Sequence, residues 1–144
     1  MEGSYTYQAE VRWSGERNGL LSLAGKPELT VAPPPEFGGP TGLITPEDLF
    51  VSSAAACFLT TFLAMADRTR ASFVRFSCSA EGVLEKVQGR GLVFTSIKLR
   101  PKVFIADQSE EHPVQRALDL TKKYCLVTNS MNCQVEMEPQ VEVA

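Results

Sequence analysis

The chain has 144 residues, 44% of them hydrophobic and 22% charged, with a net charge of −3 at pH 7. That length suits one domain (1–144) around a single core, and no basic stripe exists to displace phosphate counterions, which argues against nucleic acid as a partner. No uninterrupted run of 18 apolar residues appears, so neither a spanning helix nor a membrane partner is expected. The opening Met-Glu-Gly-Ser-Tyr lacks the basic and apolar regions of a secretory leader. A cytoplasmic location is therefore expected, where thiols stay reduced and a disulfide is transient or catalytic.

Tyr5, Tyr7, Ala9, Val11 and Trp13 alternate with Thr6, Gln8, Glu10 and Arg12, the period of a half-buried strand. Residues 14–19 supply a turn, with Asn18-Gly19 suited to the positive φ of a tight hairpin. Residues 20–23 and 29–31 are short strand candidates. Residues 32–44 hold four prolines and three glycines and cannot form regular structure.

A helix is predicted over residues 47–68. Thr45 suits its N-cap and Pro46 its first position, while Asp48 closes a capping box and complements the dipole. From Leu49 to Ala66 nearly every position is apolar or small, which predicts burial on all sides, by surrounding sheets or by a second subunit.

Val74, Phe76, Cys78 and Ala80 share one strand face. Val93, Thr95, Ile97, Leu99, Val103 and Ile105 share another, across a turn at Gln88-Gly89-Arg90-Gly91. Lys98, Arg100 and Lys102 alternate with them as a solvated face. A second helix runs from Pro113 to Cys125, with Val114, Leu118, Thr121 and Cys125 as its inward stripe. The chain closes in a strand with Cys133, Val135, Met137, Val141 and Val143 on one face. This order predicts an α+β fold with largely antiparallel sheets.

Four cysteines without a CxxC pair, and a single histidine, argue against zinc. Neither GxGxxG nor GxxxxGK[ST] occurs, so nucleotide-phosphate chemistry has no support. Cys57, inside the apolar helix, reads either as a small buried hydrophobe or as a nucleophile. In apolar surroundings its pKa would rise, so reactivity calls for a nearby cation. Cys125 sits at a helix C-terminus, which disfavours a thiolate; if both cysteines act, Cys57 is the nucleophile and Cys125 the resolving thiol. Cys78 and Cys133 lie on inward strand faces and read as packing residues. His112 reads as solvated, Arg17 as an exposed turn arginine, and Glu47 as a first-turn carboxylate favoured by the dipole.

Three stretches carry a resemblance. Glu36-Phe37-Gly38-Gly39-Pro40, then Thr45-Pro46-Glu47-Asp48-Leu49-Phe50, then Ala54-Ala55-Ala56-Cys57-Phe58 resemble the osmotically inducible protein C and organic hydroperoxide resistance (OsmC/Ohr) family. A helix ending in Cys125 and followed by Thr128-Asn129-Ser130 resembles its second motif. The likeness covers essentially the whole chain. It departs at Leu126, where a proline is common, and at Thr45, where an asparagine is common.

The resemblance implies an intertwined homodimer whose central helices are wrapped by sheets. It implies a thiol peroxidase in which Cys57 attacks an organic hydroperoxide, Cys125 resolves the sulfenic acid to a disulfide, and a dithiol, such as a lipoyl-carrying protein, restores the pair. Arg17 and Glu47 take the places of the family's arginine and glutamate. Phe50, Phe58, Phe62 and Met65 are candidates either for an apolar substrate pocket or for plain core. No metal or organic cofactor is called for, since sulfur carries the oxidation. An OsmC-like small-molecule or fatty-acid binder, or a redox sensor without turnover, is the alternative. Ten residues of helix place Glu47 and Cys57 about 15 Å apart along the axis and about 80° around it. A site using both is thus expected to be shared between subunits or bridged by Arg17.

Overall fold

The computed structural model describes residues 3–144, which form two compact units, Met1–Phe50 and Val51–Ala144. In the first, β1 (Glu10–Gly15), β2 (Asn18–Ser22) and β3 (Leu29–Val31) make an antiparallel sheet in that order. The turn between β1 and β2 falls earlier than expected. Gly15 (φ 116°) and Glu16 (φ 50°) carry the positive φ, and Asn18 and Gly19 already belong to β2.

The alternating N-terminal row also departs from expectation. Only Glu10–Gly15 is strand, and Tyr7, Val11 and Trp13 are 89%, 60% and 79% exposed. Alternation marks which face is apolar, but this single chain has nothing to lay on it. The proline-rich stretch after β3 holds one 3₁₀ turn, Pro35–Phe37, and is pinned by the Ala32 N–H donating to the Ile44 carbonyl at 3.1 Å. Helix α1 (Pro46–Thr69) then starts as read: the Asp48 N–H donates to Thr45 Oγ1, and the Thr45 N–H donates to Asp48 Oδ2, each at 3.0 Å.

The second unit holds the rest of α1, then β4 (Arg75–Val87), β5 (Gly91–Ile105), α2 (Glu111–Tyr124), α3 (Leu126–Asn129), β6 (Gln134–Met137) and β7 (Gln140–Val143). β4 and β5 form a long antiparallel pair, and β6 and β7 both run parallel to β5. The expected closing strand is therefore two short ones, in an α+β fold that remains mainly antiparallel. Ile97, Leu99, Val103 and Ile105 of β5 are buried, as are Val114, Ala117 and Leu118 of α2. On the outward face Lys98, Arg100 and Lys102 pair with Glu138, Glu81 and Glu142 at 3.6, 3.4 and 3.8 Å. Such half-exposed pairs contribute about 0–1 kcal/mol each, and they neutralise the stripe.

α1 is not buried all round. Ala54, Phe58, Phe62, Met65 and Ala66 form one buried stripe, whereas Leu59 and Leu63 are 39% and 44% exposed. Phe62 stacks on Phe76 at 4.6 Å between centroids and meets Phe73 edge-on at 5.3 Å. By length and composition α1 could also cross a membrane, contrary to the reading from uninterrupted runs. Its serines and threonines break each run without adding charge. The stripe packed into protein is instead the mark of a core helix.

Candidate active site

Cys57 and Cys125 meet within Val51–Ala144. Cys57 lies in mid-α1, and four residues on, one helical turn away, the Thr61 hydroxyl stands 3.7 Å from its sulfur. Cys125 is the residue at which α2 stops. Its N–H still donates to the Thr121 carbonyl at 2.9 Å, but its ψ of 106° turns the chain out of the helix. Its carbonyl then accepts from the Asn129 N–H at 3.0 Å and from the Thr128 hydroxyl at 3.2 Å, starting α3. The N–H groups of Leu126 and Val127, in the first turn after this break, have no helical carbonyl behind them to accept their hydrogen bonds. They face the Cys57 sulfur. Cys125 itself is fully buried.

The two thiols are driven apart in acidity. Burial pushes Cys57 up, but the Val127 N–H, the Thr61 hydroxyl, the Cys125 thiol and the Leu126 N–H together outweigh it and hold Cys57 below the ordinary thiol value. Burial pushes Cys125 up as well. The Thr128 hydroxyl and N–H oppose that, yet donating its proton toward Cys57, and facing the charge there, keeps Cys125 a thiol. Every group that lowers Cys57 is uncharged and lies in Val51–Ala144. Sequence reasoning called for a cation and did not name these neutral donors, because main-chain N–H directions are not visible in a sequence. A third thiol adjoins the pair. Cys78, on β4, is pushed up to about 11, by burial first and by the field of Cys125, against a lowering main-chain hydrogen bond at Arg100. Cys133 is likewise raised by burial.

Arg17 and Glu47 belong to Met1–Phe50, where both line an open cavity of about 390 Å³ with Val11, Trp13, Val31 and Pro33. The Arg17 guanidinium passes over the bare Cα of Gly38; a β carbon there would sit 3.7 Å from Cζ, and the φ of +88° independently requires glycine. At Gly39 a β carbon would overlap the Pro33 carbonyl oxygen at 1.7 Å. These contacts give the Gly38-Gly39 pair its structural meaning. Glu47 Oε1 is buried without a hydrogen-bond partner, and among the described residues no ion pair includes Arg17 or Glu47. The two share a cavity but do not pair.

Of the four apolar candidates, Phe58 and Phe62 are fully buried, Met65 is 8% exposed and Phe50 is half-buried. Phe58, Phe62 and Met65 serve as core of the second unit. Sequence reasoning missed Thr61, whose signal was its i+4 spacing from Cys57, and the Leu126 and Val127 N–H groups, which left none. Among the described residues no cluster of histidine, cysteine or carboxylate side chains could hold a metal ion.

The family model for OsmC-like proteins matches residues 39–140. The chain belongs to the OsmC/Ohr family. In a 28% identical structure, an organic hydroperoxide resistance protein OsmC from Legionella pneumophila, the superposition has a TM-score of 0.74 and covers 99% of this chain and 100% of that one. An OsmC-like protein of unknown function from Vibrio cholerae shares the fold at a TM-score of 0.85 and 20% identity, over 94% of this chain and 99% of that one. YmaD of Bacillus subtilis (strain 168), an uncharacterized protein, is 25% identical over 95% of this chain and 93% of its own. Membership supports a peroxide-related redox function at the level of the family.

Proposed function

We propose that the chain is a thiol-dependent peroxidase that reduces organic hydroperoxides to alcohols in the cytoplasm. The observation that carries this reading is the opposed acidity of two adjacent thiols, Cys57 lowered and Cys125 raised, each acting on the other. Such a pair supplies a nucleophile and a proton-bearing partner at one place.

The Cys57 thiolate attacks the terminal peroxide oxygen and the O–O bond breaks. The alkoxide takes a proton and leaves as alcohol, while sulfur is oxidised by two electrons to a sulfenic acid. The Cys125 thiol then attacks that sulfur; an S–S bond forms, and the hydroxyl leaves with the thiol proton as water. An external dithiol, such as a lipoyl group, reduces the disulfide by exchange and is itself oxidised to a disulfide. Arg17 and Glu47 are assigned to handling the peroxide. A guanidinium can donate to its oxygens, and a buried carboxylate with a free acceptor can take the proton of the hydroperoxide. The exposed Val11 and Trp13 row and the uncovered side of α1 support a homodimer, a second copy covering both.

Consumption of cumene hydroperoxide with dihydrolipoamide tests this. Sustained turnover is expected, with loss of at least about 10³-fold in Cys57→Ser. Cys125→Ser is expected to consume about one equivalent and then stall. A wild type that consumes one equivalent and stops is a sensor, and one that consumes none is a binder; either result overturns the reading.

A further inference from the structure

The hydroxyl of Thr61 does something that the other helical threonines do not. Thr60, Thr69 and Thr121 donate to carbonyls of the preceding turn, at 3.1, 2.9 and 2.7 Å. Thr128 likewise donates to the Cys125 carbonyl. This is the usual resting place for a threonine hydroxyl in a helix, because χ1 has few choices there. At Thr61 the corresponding acceptor, the Cys57 carbonyl, is taken by the Thr60 hydroxyl. Thr61 Oγ1 is instead placed 3.7 Å from Cys57 Sγ. The spacing of four residues holds the two side chains on one face of α1, so the contact needs no other element to form.

We propose that Thr61 is the positioning residue of the Cys57 nucleophile, its hydroxyl donating to the thiolate and fixing the sulfur in one orientation. This rests on the peroxidase reading for its purpose but not for its test. A hydroxyl suits the task because a hydrogen bond donated to the charged form of a group favours that form. The rotamer of Cys57 is then set by the helix itself, and the sulfur stays aimed at the Cys125 end of α2 through both steps of the cycle. Thr61 touches neither peroxide nor leaving group in this scheme and acts through the sulfur.

The readout is the pH dependence of iodoacetamide alkylation at Cys57 in the folded, reduced protein, followed by mass spectrometry of its digest. Within Val51–Ala144 the titratable group facing Cys57 is Cys125, which faces Cys78 in turn, so both peptides are scored in the same digest. Thr61→Val keeps the shape of the side chain and removes the donor. It is expected to raise the Cys57 midpoint by about one pH unit, the worth of one hydrogen bond to a charged group. Thr61→Ser restores the donor and is expected to return the midpoint to within about a third of that shift. An unmoved midpoint in Thr61→Val overturns the proposal, as does a Thr61→Ser variant that titrates like Thr61→Val, which would mark a packing effect. Circular dichroism of each variant screens out unfolding; if Thr61→Val does not fold, Thr61→Ala replaces it with the same expectation. Because alkylation needs no peroxide, failure of the peroxidase reading leaves this test intact.

Discussion

The two-thiol centre and the arginine–glutamate cavity differ in how completely the chain finishes them. In Val51–Ala144, Cys57 is met by a hydroxyl, two N–H groups and a thiol, and the Cys125 carbonyl accepts two hydrogen bonds. In Met1–Phe50, Glu47 Oε1 is buried with no partner and Arg17 makes no ion pair among the described residues, although both line one cavity. The first is a thiol whose hydrogen-bond donors are already in place. The second keeps its polar groups uncommitted, as a site does when it has a ligand to receive. On the proposed mechanism, ionising sulfur and handling peroxide fall to different parts of the sequence, and mutations should separate them.

The largest separating effect is expected at Arg17. Arg17→Gln removes the charge but keeps much of the length, and is expected to lower kcat/KM for cumene hydroperoxide by about 10²-fold, the usual loss for one donor aimed at developing charge. The alkylation midpoint of Cys57 should stay where it is, because the groups that lower it lie in Val51–Ala144. A midpoint that rises along with the loss of turnover would merge the two regions and break the comparison. The Thr61→Val titration comes next in size and probes the finished side of it.

Leu126→Pro is the smallest and sharpest change. Leu126 is 69% exposed, stands first in α3, and follows a residue with extended ψ, so proline fits there and removes only the N–H. The Cys57 midpoint is expected to rise by about 0.3 pH units, less than for Thr61→Val, since Leu126 is the weakest of the lowering groups. Turnover near neutral pH should fall less than twofold. A rise as large as that in Thr61→Val would contradict this order of donors.

What could be read in the sequence follows from how far each signal reaches. The α1 cap was legible because Thr45 and Asp48 bond each other three residues apart. The α2 stripe was legible because Val114, Leu118, Thr121 and Cys125 repeat at helical spacing. The exposure of Tyr7 and Trp13 was not, since what covers an apolar face is a property of its neighbours. The hairpin turn slipped because Gly15 and Glu16 took the positive φ that Asn18-Gly19 could equally have adopted. Cys57 and Cys125 could be named from their motifs, but the means of activation could not. Two of its four donors are backbone groups whose direction depends on α2 stopping at Cys125, and another, the Thr61 hydroxyl, was hidden among the serines and threonines of α1.

The most direct check on the central claim is to mix reduced protein with one equivalent of tert-butyl hydroperoxide, block the remaining thiols and sequence the non-reduced peptides by mass spectrometry. The expected product is a single disulfide joining the peptides of Cys57 and Cys125, with Cys78 and Cys133 alkylated as free thiols. Recovery of Cys57 unoxidised, or of a disulfide that leaves Cys57 out, would contradict the account.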